Sequence, residues 1–139
     1  MARLATIDEI LAASETEVDL PALSVTVGEP RTIKVRKLSR AEFLTCLPPN
    51  PPGSDSWAKE DWAAKEEAWL ATLDQETLSA RRQTIALLNP RVVALCAIDP
   101  PLTLEQAQRL GDDALTVAAA LLRFSGITAP ETPVEAPAA

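Results

Sequence analysis

Histidine is absent from the 139 residues, and so is tyrosine. The first absence removes the commonest general base, the commonest metal ligand and the usual physiological pH switch together. Nucleophilic catalysis would then need a Ser–Lys or Cys–Asp arrangement or an N-terminal nucleophile, and no local motif supplies one. Only two cysteines occur, Cys46 and Cys96, far apart and without a C-x-x-C pair. They indicate neither zinc nor redox chemistry and read as buried free thiols. With four glycines in all, the chain has no glycine-rich phosphate loop, and it has no Walker lysine. Adjacent carboxylates stand at Glu66-Glu67 and Asp112-Asp113. On a helix such neighbours diverge by about 100°, so they do not converge on one substrate atom, and Asp112-Asp113 is better explained as helix capping. The expectation is a protein with no catalytic residues, no metal and no cofactor.

Positive charge is also in short supply. Thirteen Lys and Arg face twenty Asp and Glu, a net charge of −7, which argues against a nucleic-acid partner for the whole chain. No apolar run approaches the ~20 residues that span a bilayer. Acidic Asp8 and Glu9 stand where a signal peptide would continue its apolar core. A cytoplasmic protein with no membrane association is therefore expected.

Apolar content, by contrast, is concentrated at 85–98. There Ile85, Leu88, Val92 and Leu95 fall at helical spacing, while Ala86, Val93, Ala94 and Ala97 make the rest of the circumference apolar. Only Asn89 and Arg91 interrupt it. A helix that is hydrophobic nearly all round belongs in a core. Asn89 is a good N-cap and Pro90 suits a first helical position, so the run reads as two helices meeting at Asn89, or as one kinked helix.

Around this element the sequence marks helix starts by capping boxes, in which a Ser or Thr side chain and a Glu or Gln three residues later satisfy each other's backbone N–H groups. Thr6 with Glu9 opens a short helix ending near Ser14, Ser39 with Glu42 opens one reaching Leu47, and Thr103 with Gln106 opens one closed by Gly111. Between the first two, Leu23, Val25 and Val27 alternate with polar residues, Gly28-Glu29-Pro30-Arg31 is turn chemistry, and Ile33 and Val35 alternate again. These spacings predict a β-hairpin at about 20–38. Pro48, Pro49, Pro51 and Pro52 make 48–53 an exposed polyproline-like loop. A helix from Ser54 or Asp55 to about Leu73 follows, carrying Trp57, Trp62 and Trp69, then a break at 74–77 and a segment in which Arg81 and Arg82 face solvent. Asp112 or Asp113 is expected to cap a last helix over 114–124, apolar over more than half its surface. The fold class is α+β, mainly α. One helical domain over 1–126 carries an N-terminal hairpin, and a flexible Ala/Pro/Glu tail occupies 127–139.

Two features offer themselves for binding. Arg31, Lys34, Arg36, Lys37 and Arg40 run without an intervening acid. They serve either as a solvated strand face that protects a sheet edge or as a dock for an acidic partner. Trp62 and Trp69, seven residues apart, share a helix face. They read either as core anchors or as a protein-binding face.

The layout resembles a known family. Val35-Arg36-Lys37-Leu38-Ser39-Arg40-Ala41-Glu42-Phe43-Leu44 is similar to the strand-then-helix opening of tail assembly chaperones from long-tailed bacteriophages. Ala94-Leu95-Cys96-Ala97-Ile98-Asp99-Pro100-Pro101-Leu102-Thr103 resembles their step from an apolar helix through Asp-Pro to Leu-Thr. Leu121-Leu122-Arg123-Phe124-Ser125-Gly126 resembles their closing Ser-Gly. The likeness spans about residues 20–126, and the tryptophan helix and the 48–53 loop depart from it. It implies a non-enzymatic protein, absent from the mature virion, that coats the hydrophobic helical tape measure protein and recruits tail tube subunits. A homo-oligomer is compatible with that role. The expected contact is helix-in-groove, on Trp62, Trp69, Leu115 and Leu122, with Lys34, Arg36 and Lys37 as the charged dock. Readings from other classes are a structural virion or head–tail connector protein and a host protein-binding adaptor.

Overall fold

The computed structural model describes residues 2–127. The flexible tail expected over 127–139 lies, apart from Ile127, outside the described residues. The chain opens with α1, Ile7–Ser14, and its capping box forms as spaced: Glu9 N–H donates to Thr6 Oγ1 at 3.1 Å and Thr6 N–H to Glu9 Oε1 at 2.9 Å. At Glu15 the backbone becomes extended and passes directly into β1, Glu15–Asp19. Helix α2, Pro21–Val27, comes next, and then β2, Thr32–Arg36. The two strands pair antiparallel, Glu15 opposite Arg36 and Val18 opposite Ile33. A third strand, β3 (Ala97–Asp99), pairs antiparallel with the other side of β2, which makes β2 the centre of a three-stranded sheet.

The N-terminal hairpin expected at 20–38 is thus displaced. Its first strand is Glu15–Asp19, and the alternating Leu23, Val25 and Val27 are helical. The physical reason lies outside the segment. Pro21 is at the first helical position, Gly28 closes the end in the left-handed region at φ 81°, and the side chain that satisfies the first-turn N–H groups is Asp113, some ninety residues on. Ser24 then ties α2 back toward β2. Its hydroxyl donates to Leu20 C=O at 2.7 Å, and its oxygen accepts from Arg31 N–H at 2.8 Å.

The second capping box, Ser39 with Glu42, starts α3, Arg40–Thr45. The tryptophan segment does not form one helix from Ser54. Two 3-10 turns, Ser54–Ser56 and Lys59–Asp61, precede α4, Trp62–Leu70. Asp74 caps α5, Gln75–Ala86, through Thr77 N–H at 2.8 Å. Its successor α6, Leu88–Cys96, begins just beyond Leu87. The long apolar run is therefore two helices, joined two residues earlier than the Asn89 cap suggested, with Pro90 inside the first turn, where no intrahelical N–H is needed. The third capping box, Thr103 with Gln106, starts α7, Leu104–Gln108. Finally α8, Asp112–Ser125, is preceded by Gly111 as its N-cap, so Asp112 and Asp113 are its first two residues rather than its cap.

The sheet has one buried face. Ile33 and Val35 of β2 cluster with Val92, Val93 and Cys96 of α6, Val117, Ala118 and Leu121 of α8, Phe43 of α3 and Cys46 just beyond its end. The alternate residues Thr32 and Lys34 are exposed and Arg36 is half-buried, the one-sided pattern of an antiparallel sheet covered by helices on one face. Within the run at 85–98 the buried positions are Val92, Val93 and Cys96, whereas Ile85 and Leu95 reach solvent. Neither α4 nor α5 contributes a buried residue, so this pair lies outside the main core.

Candidate protein-binding surface

The three indoles are half-buried and engaged within the chain; Trp62 and Trp69 are seven residues apart on α4, but their neighbours differ. Trp57 and Trp62 meet edge to face with centroids 5.1 Å apart, and Lys65 Nζ lies 5.6 Å from the Trp57 ring. Trp69 instead lies under the guanidinium of Arg81, 5.1 Å from its centroid. Arg81, expected to face solvent, is largely buried on its side chain (14% exposed) and donates to Pro49 C=O at 2.7 Å and to Glu66 Oε2 at 3.3 Å. This arginine pins the proline loop to the helix pair. Between them lies a cleft of about 340 Å³ lined by Pro48, Pro49, Pro52, Trp69, Leu73 and Arg81 among others. The 48–53 loop is accordingly not wholly exposed: Pro51 is buried.

On α8 the two chosen leucines divide. Leu115 is 60% exposed, while Leu122 is half-buried against the main core. No substantial contact joins α4 to α8, so Trp62 and Trp69 are not brought together with Leu115 and Leu122.

The basic stretch is largely matched by the chain's own acids. Lys34 Nζ lies 3.3 Å from Glu15 Oε1, and Arg31 Nη1 lies 3.1 Å from Glu29 Oε1. Arg36 donates to both oxygens of Glu42, at 3.1 and 2.8 Å, and to Leu95 C=O at 3.0 Å. The Arg36 guanidinium, helped by Ser39 N–H, holds the Glu42 carboxyl at about 2 against an ordinary 4.5. Lys37 Nζ lies 5.4 Å over the Phe124 ring. What remains for an acidic partner is a weakened positive field, because β1 supplies acids opposite β2's cations.

Both thiols lie in the core. Cys46 and Cys96 are fully buried and free, and burial pushes the Cys96 thiol up to about 11 and raises that of Cys46. Among the described residues no cluster of three or more Cys, Asp or Glu side chains is placed to hold a metal ion. None of the described helices is long and apolar enough to cross a membrane.

The exposed apolar residues gather on elements that composition did not single out. On and before α1, Leu4, Ile7, Ile10 and Leu11 are 91%, 74%, 56% and 54% exposed. Val25 and Val27 of α2 are also exposed. Spacing within α1, with Ile7, Ile10 and Leu11 three and four residues apart, is the sequence signal for this stripe. In comparisons with known proteins, no family model, no curated protein and no solved structure matches this chain.

Proposed function

We propose that this protein is a non-enzymatic assembly chaperone of long-tailed bacteriophages, acting in the host cytoplasm on the hydrophobic tape measure protein and recruiting tail tube subunits to it. The observation that carries the reading is the surplus of apolar surface outside a filled core. Thirteen buried apolar side chains make one cluster, yet large hydrophobics on α1, α2 and α8 stay in water. A monomer gains nothing from exposing Ile7, Ile10 and Leu11 on one short helix with Leu4 just ahead of it, and such patches mark binding sites. The order of strand, capped helix, apolar helix, Asp-Pro step and Ser-Gly close supports the family, and the inert thiols suit a binding rather than a catalytic role.

Co-expression with the tape measure protein tests it. The tape measure protein should be soluble and co-purify only when this chain is present. Replacing Trp69 and Leu115 by alanine then asks whether the faces of α4 and α8 contribute. Mass spectrometry of purified virions provides the opposing result: stoichiometric presence in the finished particle would make the protein a structural component instead.

A further inference from the structure

The most exposed apolar stripe of the molecule lies on its first helix, which joins the rest of the fold chiefly through the strand that follows it. Ile7, Ile10 and Leu11 lie three and four residues apart on α1 and share an arc of about 100°, and Leu4 stands just ahead of the Thr6 N-cap. No residue of α1 is buried. The helix is nonetheless well made, since its capping box is complete and Arg3 pairs with Glu9 at 2.8 Å. A short helix that is carefully started but buries none of its apolar side among the described residues is suited to completion by a partner.

Charge says what that is. Residues 2–19 hold Asp8, Glu9, Glu15, Glu17 and Asp19 against the single cation Arg3. Arg3 answers Glu9 and Lys34 answers Glu15, while Asp8, Glu17 and Asp19 have no cation within ion-pair distance among the described residues. A second copy of the chain would set these acids against their own kind, and each copy carries a net −7. Resting on the protein-binding reading above, we infer that Leu4, Ile7, Ile10 and Leu11 dock an amphipathic helix of a partner protein whose apolar stripe is flanked by Lys and Arg. The apolar residues provide the seat, and the acids of α1 and β1 select the sign of the partner and speed its arrival.

The test uses the full chain and designed peptides, so it does not depend on the tape measure protein. An amphipathic Leu/Lys helix of roughly 18 residues, five turns, is compared with a Leu/Glu peptide of the same pattern and with a scrambled Leu/Lys peptide. Fluorescence anisotropy gives affinity, and amide chemical shifts of the isotope-labelled protein give the location. The patterned Leu/Lys peptide should shift the amides of 4–14, and both comparison peptides should bind at least about tenfold more weakly. The double variant Ile7→Ser, Leu11→Ser should lose about tenfold or more in affinity with its melting temperature unchanged, because neither side chain is in the core. Equal affinity of variant and parent, shifts centred on α4 or α8, or equal binding of the Leu/Glu peptide would overturn the assignment. So would a concentration-dependent dimer that the double variant abolishes, since it would identify a second copy as the occupant. Loss of tape measure solubilisation with peptide docking intact would refute the chaperone reading alone.

Discussion

Asp113 holds together parts of the chain that sequence keeps ninety residues apart, and removing its carboxylate tests how α2 exists at all. Its side chain is 1% exposed, and its two oxygens accept from Ala22 N–H and Leu23 N–H, each at 2.9 Å. These are first-turn donors of α2, whose own N-cap position, Leu20, has no side-chain acceptor. Asp113 also lies in the first turn of α8, so the positive ends of two helices converge on one carboxylate. A net hydrogen bond to a charged group contributes about 1.5–3 kcal/mol. Two of them would give about 3–6 kcal/mol. Ala22 and Leu23 are at the surface, however, and water can take over part of the donation, so we expect Asp113→Ala to cost about 3 kcal/mol. At a urea m-value of about 2 kcal/mol/M the midpoint should fall by about 1.5 M. The melting temperature should fall by about 10 °C. The neighbouring Asp112→Ala is the control: that side chain is exposed, and its loss should stay within about 0.5 kcal/mol. Hydrogen exchange should show the amides of 22–28 losing protection first. If the two alanine variants unfold at the same urea concentration, Asp113 is not what holds α2, and the account of that helix fails.

Other consequences can be checked as directly. Gly111 adopts φ 58° with ψ −125° and a Cβ there would meet no atom within 4 Å, so Gly111→Ala should destabilise by about 1–2 kcal/mol purely through backbone strain, seen as a lower urea midpoint. Glu42 has its carboxyl depressed to about 2 in the fold, which means its contribution is complete above about pH 4.5 and disappears as pH falls toward 2. The carboxylate is a third exposed, so screening leaves about 1 kcal/mol, and Glu42→Gln should flatten the acid limb of a stability–pH curve within that window. Cys46 and Cys96 should resist a thiol reagent in native buffer and react together in urea; fast labelling of either in the folded protein would contradict their burial.

The candidate surface was only partly legible in the sequence. Leu115 is exposed, because an α8 apolar over more than half its circumference cannot bury all of it. Trp69 stands out in the sequence but its neighbours do not, since the stacking of Arg81 and the capture of Pro49 C=O join residues 49, 69 and 81 through a fold no local pattern encodes. Lys34 and Arg36 looked like free cations because their partners Glu15 and Glu42 lie on different elements, one of them a strand that spacing did not mark. The α1 stripe is readable by its period.

Local chemistry was settled by the amino acids alone. All three capping boxes, at Thr6, Ser39 and Thr103, close as written, because each needs only two side chains three residues apart. β2 follows from its alternation, and the mainly helical α+β character with an N-terminal antiparallel pair follows from the same periodicities. Tertiary structure decided what to do with 15–27. Glu15–Asp19 is polar, yet it becomes a strand because β2 offers it a backbone edge to pair with, Glu15 opposite Arg36 and Glu17 opposite Lys34 in register. Leu23, Val25 and Val27 alternate like a strand, yet they are helical because a carboxylate from α8 satisfies the N–H groups that a helix start leaves open. Periodicity reports which faces a segment can bury, whereas the partner that completes its hydrogen bonds comes from wherever the fold has brought it.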